Sequence, residues 1–240
     1  MTRLVIDISN WTGTLDFTQV ARLKEAGVTG AVVGTQTPLL SSQQIESLEA
    51  GGIPVEAVYC FLYWDTQDTG RVVDALSFQR PVWLDCEYVT NPMPSSTDII
   101  NRIDKAVGQV RFLDQLAGLY TGGWWWPPYT GDTGRFKDLP LWHAAYQSRP
   151  ESLHLPASYG GWTEAKMWQF SSSGLAGVNL DLSIAADAVT APPSSPTQPT
   201  ETEALRALAR AGKIIAAGNE NLADLAEVDK NSLKWMVAQL

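Results

Sequence analysis

Apolar residues in the first 120 positions come in short β-branched runs that alternate with stretches of helical spacing. Residues 4–9 (LVIDIS) form the first run, followed by a polar turn and a helix pattern over 17–26 that stops at Gly27. The same pairing recurs: a strand over 31–35 with a helix over 41–50, closed by Gly51 and Gly52, then a strand over 55–62 with a helix over 65–79. A strand over 81–87 precedes a helix over 98–112, and residues 118–121 lead out of a fifth strand. Strand then helix, repeated with short glycine-marked turns, predicts parallel βα units. Beyond Thr121 the pattern changes. Residues 141–146, 153–157, 166–170 and 178–182 read as strands, with no comparable helices between them. The expected fold is therefore α/β, a modified TIM-like (β/α) barrel with helices mainly in its first half.

The regular pattern stops at residues 191–200, APPSSPTQPT, where four prolines stand among serines and threonines. Such a stretch packs no core and reads as an extended linker. It divides a barrel domain over 1–190 from a small helical tail over 201–240, in which Thr200 and Glu203 are placed as a capping box. Nine of the ten tryptophans precede the linker, so the chemistry is sought in the first domain. Some 40 residues bury little surface alone, and the tail is expected to act in anchoring, docking or self-association.

Net charge of −9 and the lack of a basic stripe argue against a nucleic-acid partner. No apolar run reaches the roughly 18 residues of a membrane span. The start, MTRLVIDIS, reads as a first strand and not as a signal peptide. Cys60 and Cys86 lie in apolar strand-like runs and are expected as reduced core thiols. With only His143 and His154, and no HExxH, neither a zinc site nor any other metal or cofactor is expected.

The acids carry more information. In PVWLDCEY, alternation along a strand sends Asp85 and Glu87 to one side and Cys86 to the other. Two carboxylates roughly 6.5–7 Å apart raise each other's proton affinity, and a glycosidase acid must stay protonated near neutral pH. A lone D-x-E is commonly a solvated strand end. Here Asp7 closes the first strand and Asp181 is expected to close the last. First and last strands of a closed barrel are neighbours, so four acids from three strands would meet at one rim, where barrel enzymes keep their catalytic groups. Unpaired buried carboxylates are costly to a fold, so function is the more economical explanation.

Aromatic residues cluster after the same strands: Tyr59, Phe61, Tyr63 and Trp64 after the third, Tyr120 and Trp124 to Trp126 after the fifth. Trp142, Tyr146 and Trp168 mark later strands. Aromatic faces stack on sugar rings, although about half of these side chains are expected to be plain packing. Three consecutive tryptophans cannot all face one core, so at least one should be exposed.

With these motifs in place, the chain resembles glycoside hydrolase family 25, lysozymes that cleave the β-1,4 bond between N-acetylmuramic acid and N-acetylglucosamine. The resemblance runs in order over residues 1 to about 188 through VIDISNWTGTLDF, VYCFLYW, WLDCEY, GLYTGGWWW, LWHAAY and MWQFSSSGLAGVNLDLSIA. It implies Glu87 as general acid/base, Asp85 as its partner carboxylate, and Asp7 and Asp181 as the other active-site aspartates. It also implies a sugar groove lined by Tyr59, Phe61, Tyr120, Trp142 and Tyr146, to which Tyr63, Trp124 and Trp168 are added as candidate substrate contacts. The family is described as retaining, with attack by an aspartate or by the substrate's own 2-acetamido oxygen. GAVVGTQTP departs from the family by placing Thr35 or Gln36 where charge is expected, and His143 and Ala145 alter the pattern after Trp142.

Two function classes follow. One is a peptidoglycan hydrolase acting on bacterial glycan strands; the other is a non-catalytic glycan-binding or structural virion or cell-wall module on the same fold. A wall-lysing domain without a signal peptide fits a phage-encoded protein acting at the bacterial wall, with self-association or virion docking through 201–240.

Overall fold

A computed structural model of the chain describes residues 2–186. Four strand–helix units open the fold: β1 (Arg3–Ile8) with α1 (Phe17–Glu25), β2 (Val28–Gly34) with α2 (Pro38–Ala50), β3 (Val55–Phe61) with α3 (Asp68–Leu76), and β4 (Val82–Asp85) with α4 (Ser96–Phe112). The helices begin where local chemistry permits. Asp16 accepts from the backbone N–H of Gln19, whose side chain returns the bond, closing a capping box at α1. Ser95 caps α4 in the same sense, and Pro38 opens α2 at a position that needs no N–H.

After α4 come β5 (Ala117–Thr121) and a single short helix, α5 (Trp126–Thr130). Among the described residues the remaining elements are strands: β6 (Leu141–Ala144), β7 (His154–Tyr159), β8 (Trp162–Glu164), β9 (Met167–Ser171) and β10 (Asp181–Ala185). Eight of them close into a barrel in the order β1-β2-β3-β4-β5-β6-β9-β10. The expected modified TIM-like barrel, with its helices concentrated in the first half, is the fold found.

Two expectations are corrected. The strand expected near 153–157 exists, but as part of the β7-β8 hairpin outside the barrel. The strand expected over 178–182 begins three residues later, and β10 runs antiparallel to both β1 and β9. Asp181 therefore opens its strand instead of closing it. It still reaches the rim of Asp7, because an antiparallel strand starts where its neighbour ends, and the two aspartates are paired in register. The linker over 191–200 and the helical tail over 201–240 lie outside the described residues. Among the described residues no helix is long and apolar enough to cross a membrane.

Side-chain alternation splits the core into two layers. Ile6, Val33, Val58, Leu84 and Leu119 point outward under the helices. Val5, Val32, Ala57, Trp83, Trp142, Met167 and Ala185 fill the barrel. Bulk inside requires space elsewhere: a Cβ on Gly118 would stand 2.4 Å from the Trp83 ring, so only glycine lets that indole lie across β5. Cys60 and Cys86 are buried free thiols on the outer layer. At the amino ends of the parallel strands Arg3 donates to Glu56 at 2.5 Å.

Candidate active site

The acids gather at the carboxyl ends of the parallel strands. Asp7 on β1 and Asp85 at the end of β4 are each 5% exposed, while Glu87 and Asp181 are partly open to solvent. Among the described residues no salt bridge involves any of the four. The arginine pairs lie elsewhere, on Glu56, Asp65, Asp68, Glu49 and Asp104. With no cation to offset them, all four hold protons more tightly than ordinary carboxyls. Burial is the main cause at Asp7, followed by the charge of Asp181; the Gln169 hydrogen bond acts in the opposite sense. Burial also leads at Asp85, with Glu87 and Asp7 adding repulsion. Glu87 is raised by burial and by Asp181, with a Tyr120 hydrogen bond acting in the opposite sense, and Asp181 is raised by burial to about 6.

Glu87 stands two residues past β4, yet its segment is held as firmly as strand. Cys86 N–H donates to Tyr120 O, and Thr121 Oγ1 donates to Cys86 O at 2.8 Å. The Tyr88 carbonyl then accepts from two indoles, Trp64 at 2.9 Å and Trp125 at 3.3 Å. Those indoles stack on each other with ring centroids 5.4 Å apart. Trp125 and Trp126 are thus structural, and Trp124 is the member of the triplet that faces solvent, at 55% exposure.

Tyrosines surround the acids. Tyr59 lies flat over β2, where a Cβ on Gly34 would come within 2.8 Å of its hydroxyl. Tyr59 is kept protonated by burial and by the charges of Asp7 and Asp85. Tyr120 is held likewise by burial and by Glu87 and Asp85. Tyr146, 62% exposed, has its hydroxyl pushed up to about 12 by burial and by Asp181 and Glu87. Phe61, Tyr63 and Tyr88 form a ring cluster beside Glu87, with Phe61 and Tyr63 4.7 Å apart and Arg71 over Tyr63.

Two aromatics expected as substrate contacts sit elsewhere. Trp142 is the floor: fully buried, edge-on to Tyr59 and Tyr120, its Nε1 donating to Ser183. Trp168 points out of the barrel, among Phe170 and Ile184, and its Nε1 donates to Ala145 O. Both have their faces occupied by protein, which leaves no surface for a sugar. His143, one of the departures from the family pattern, also faces outward. Its Nδ1 meets the Tyr159 hydroxyl at 2.8 Å, anchoring the β7-β8 hairpin, and burial lowers it to about 4. It is neutral at physiological pH and remote from the acids.

Three residues at the rim had no assigned role in the sequence. Gln169, 2% exposed on β9, donates from Nε2 to Asp7 at 3.0 Å and Asp181 at 3.1 Å, and accepts from Tyr120 at 2.7 Å. Trp11 is 83% exposed on a loop fixed by Gln44, which donates to Ser9 O and Gly13 O. Gln36 lies beside Tyr59 with its buried Oε1 unpartnered among the described residues, whereas Thr35 turns back to donate to Tyr59 O. The available signal was their place inside the quoted motifs. Polarity alone does not separate a buried glutamine from a surface one. Among the described residues no group of three or more His, Cys, Asp and Glu is arranged to hold a metal ion. A cavity of about 760 Å³ at the other end of the barrel is lined largely by Trp83, Leu116, Leu141, Trp162 and their neighbours. It lacks the four converging carboxyls, so the rim is the better candidate.

A rim of uncompensated carboxyls among open aromatic faces places the chain among the acid-rimmed β/α barrels. It belongs to glycosyl hydrolases family 25, whose family model matches residues 6–177. Over 104 residues it is 31% identical to a Dictyostelium discoideum protein named "Probable GH family 25 lysozyme 3", a match covering 42% of this chain and 22% of that protein. The match thus spans about a fifth of that relative's length. The fold is that of a family GH25 lysozyme from Aspergillus fumigatus, at TM-score 0.63 and 22% identity over 78% of this chain and 94% of the other. A muramidase from Acremonium alcalophilum aligns at TM-score 0.62 and 22% identity, over 77% and 93%.

Proposed function

We propose that this protein hydrolyses peptidoglycan, cleaving the β-1,4 bond between N-acetylmuramic acid and N-acetylglucosamine with retention. The observation that carries the reading is Glu87: a carboxyl raised in proton affinity, partly open to solvent, and clamped at the barrel rim facing three aspartates. Family membership and the names of the relatives supply the substrate class.

Glu87 gives its proton to the glycosidic oxygen as the C1–O bond breaks. Asp181, or the substrate's 2-acetamido oxygen polarised by it, forms the new bond at C1. Glu87, now a carboxylate, then takes a proton from the water that displaces that bond. The carboxyl oxygens of Asp7 and Asp85 face the positive charge that develops on the sugar. Tyr59, Tyr120 and Tyr146 present protonated hydroxyls, while Phe61, Tyr63, Trp124 and Trp11 offer rings along the groove.

The test is release of reducing ends from purified peptidoglycan, followed by borohydride reduction and mass spectrometry. Wild type should yield fragments ending in reduced N-acetylmuramic acid, and Glu87→Gln should lower the rate by about 10²–10⁴-fold. Binding by both proteins without release from several wall types would replace this reading with that of a glycan-binding module. The pH profile should be a bell. Activity falls on the acid side as Asp181 gains a proton below about 6, and on the alkaline side as Glu87 loses its own.

A further inference from the structure

Among the described residues, Gln169 is the one side chain hydrogen-bonded to two of the four acids and also to a tyrosine beside a third. Asp7 Oδ1 and Asp181 Oδ2 both accept from Gln169 Nε2, so the amide turns its NH2 toward the two aspartates. The opposite orientation would set the amide oxygen against two carboxylate oxygens. With Nε2 committed, Oε1 faces Tyr120 and takes that hydroxyl's single proton at 2.7 Å. Glu87 also neighbours the Tyr120 hydroxyl, and a hydrogen bond given by that hydroxyl lowers the proton affinity of Glu87. If Tyr120 donated to Glu87 it would favour the carboxylate, but its proton is already directed at Gln169. Only a lone pair remains for Glu87.

We infer that Gln169 is a positioning residue that sets the direction of the hydrogen bonds across the site, holding Asp7 and Asp181 as acceptors and, through Tyr120, selecting the protonated form of Glu87. The chain of donors runs from Glu87 to Tyr120 to Gln169 to the two aspartates. Gln169 reaches Glu87 only through Tyr120; it decides which carboxyl of the cluster keeps a proton. The inference rests on the reading of Glu87 as the acid.

The groups that face Glu87 are Asp85 on its own segment, Asp7 on β1, Asp181 on β10, Tyr120 on β5 and Tyr146 after β6. All can be followed without substrate by carbon NMR of the labelled carboxyl and phenol groups. Gln169→Met keeps volume and removes both donor and acceptor. Tyr120 is then free to donate to Glu87, whose titration midpoint should fall by about one pH unit. Asp7 and Asp181, having lost their donor, should titrate higher. On peptidoglycan the activity bell should narrow from both sides.

In a Tyr120→Phe background, Gln169→Met should leave the Glu87 midpoint nearly in place, because the path between them is gone. An unmoved or raised Glu87 midpoint in Gln169→Met, or an equal fall with and without Tyr120, would overturn the inference. Should the variant fail to fold, the wild-type amide still decides. The two Gln169 Nε2 protons should resonate apart and both move as the aspartates titrate; one moving proton or none refutes the bridge. Wild type that cleaves nothing while these titrations behave as stated would sink the hydrolase reading and leave this one standing.

Discussion

At the scale of single residues, the acid cluster opposes the fold that carries it. Asp85 is buried, lacks a salt bridge, and has one oxygen without a hydrogen-bond partner. Its proton affinity is raised in the folded state, so the stability it permits is full below the unfolded-state value and is lost as pH rises through the folded one. Asp85→Asn should therefore raise the melting temperature at neutral pH, by about 2–4 °C for each kcal/mol relieved. The gain should vanish near pH 3, where both states are protonated, and hydrolytic activity should fall. Scanning calorimetry at the two pH values checks this, and a lower melting temperature at pH 7 would contradict it. These four acids were legible in the sequence because each sits in a strand-like run with a fixed side-chain period. Gln169 was not, since its value lies in reaching Asp7, 162 positions away.

At the scale of elements, the stretch after β4 shows how a segment without sheet pairing is held still. Two stacked indoles from different loops donate to one carbonyl, that of Tyr88, next to Glu87. Trp125→Ala removes a fully buried ring and one of these bonds, and should cost about 3–5 kcal/mol in chemical denaturation. Its kcat should fall more than its KM rises, because the acid loses its fixed place while the open groove residues stay. Equal stability of variant and wild type would show that the stack does not hold the segment. The triplet of tryptophans announced that one ring would be exposed; which one depended on Trp125 meeting Trp64, a partner about sixty residues earlier. Likewise the strand at 167–171 was evident, but alternation says only that Trp168 and Gln169 face opposite ways. The barrel's closure decided that the glutamine looks in and the tryptophan out.

Across the whole molecule, the described barrel is complete by Ala185, where β10 bonds to both β1 and β9. A chain ending at residue 190 contains every barrel strand and should unfold at the same denaturant midpoint as the full chain, with unchanged activity on soluble glycan fragments. A lower midpoint would assign the remaining residues a part in the barrel. The sequence by itself determined the βα repeat, the loss of helices after the fifth strand and the identity of the acids, because these depend on local periodicity and residue chemistry. Tertiary structure alone decided that β10 runs backwards and so starts, not ends, at the site, and that the 154–164 hairpin stays outside the barrel. It also decided that Trp142 becomes a floor and that one glutamine joins the two aspartates. Strand direction and facing are settled by pairing between segments far apart in the chain, and no short stretch of sequence contains both partners of such a bond.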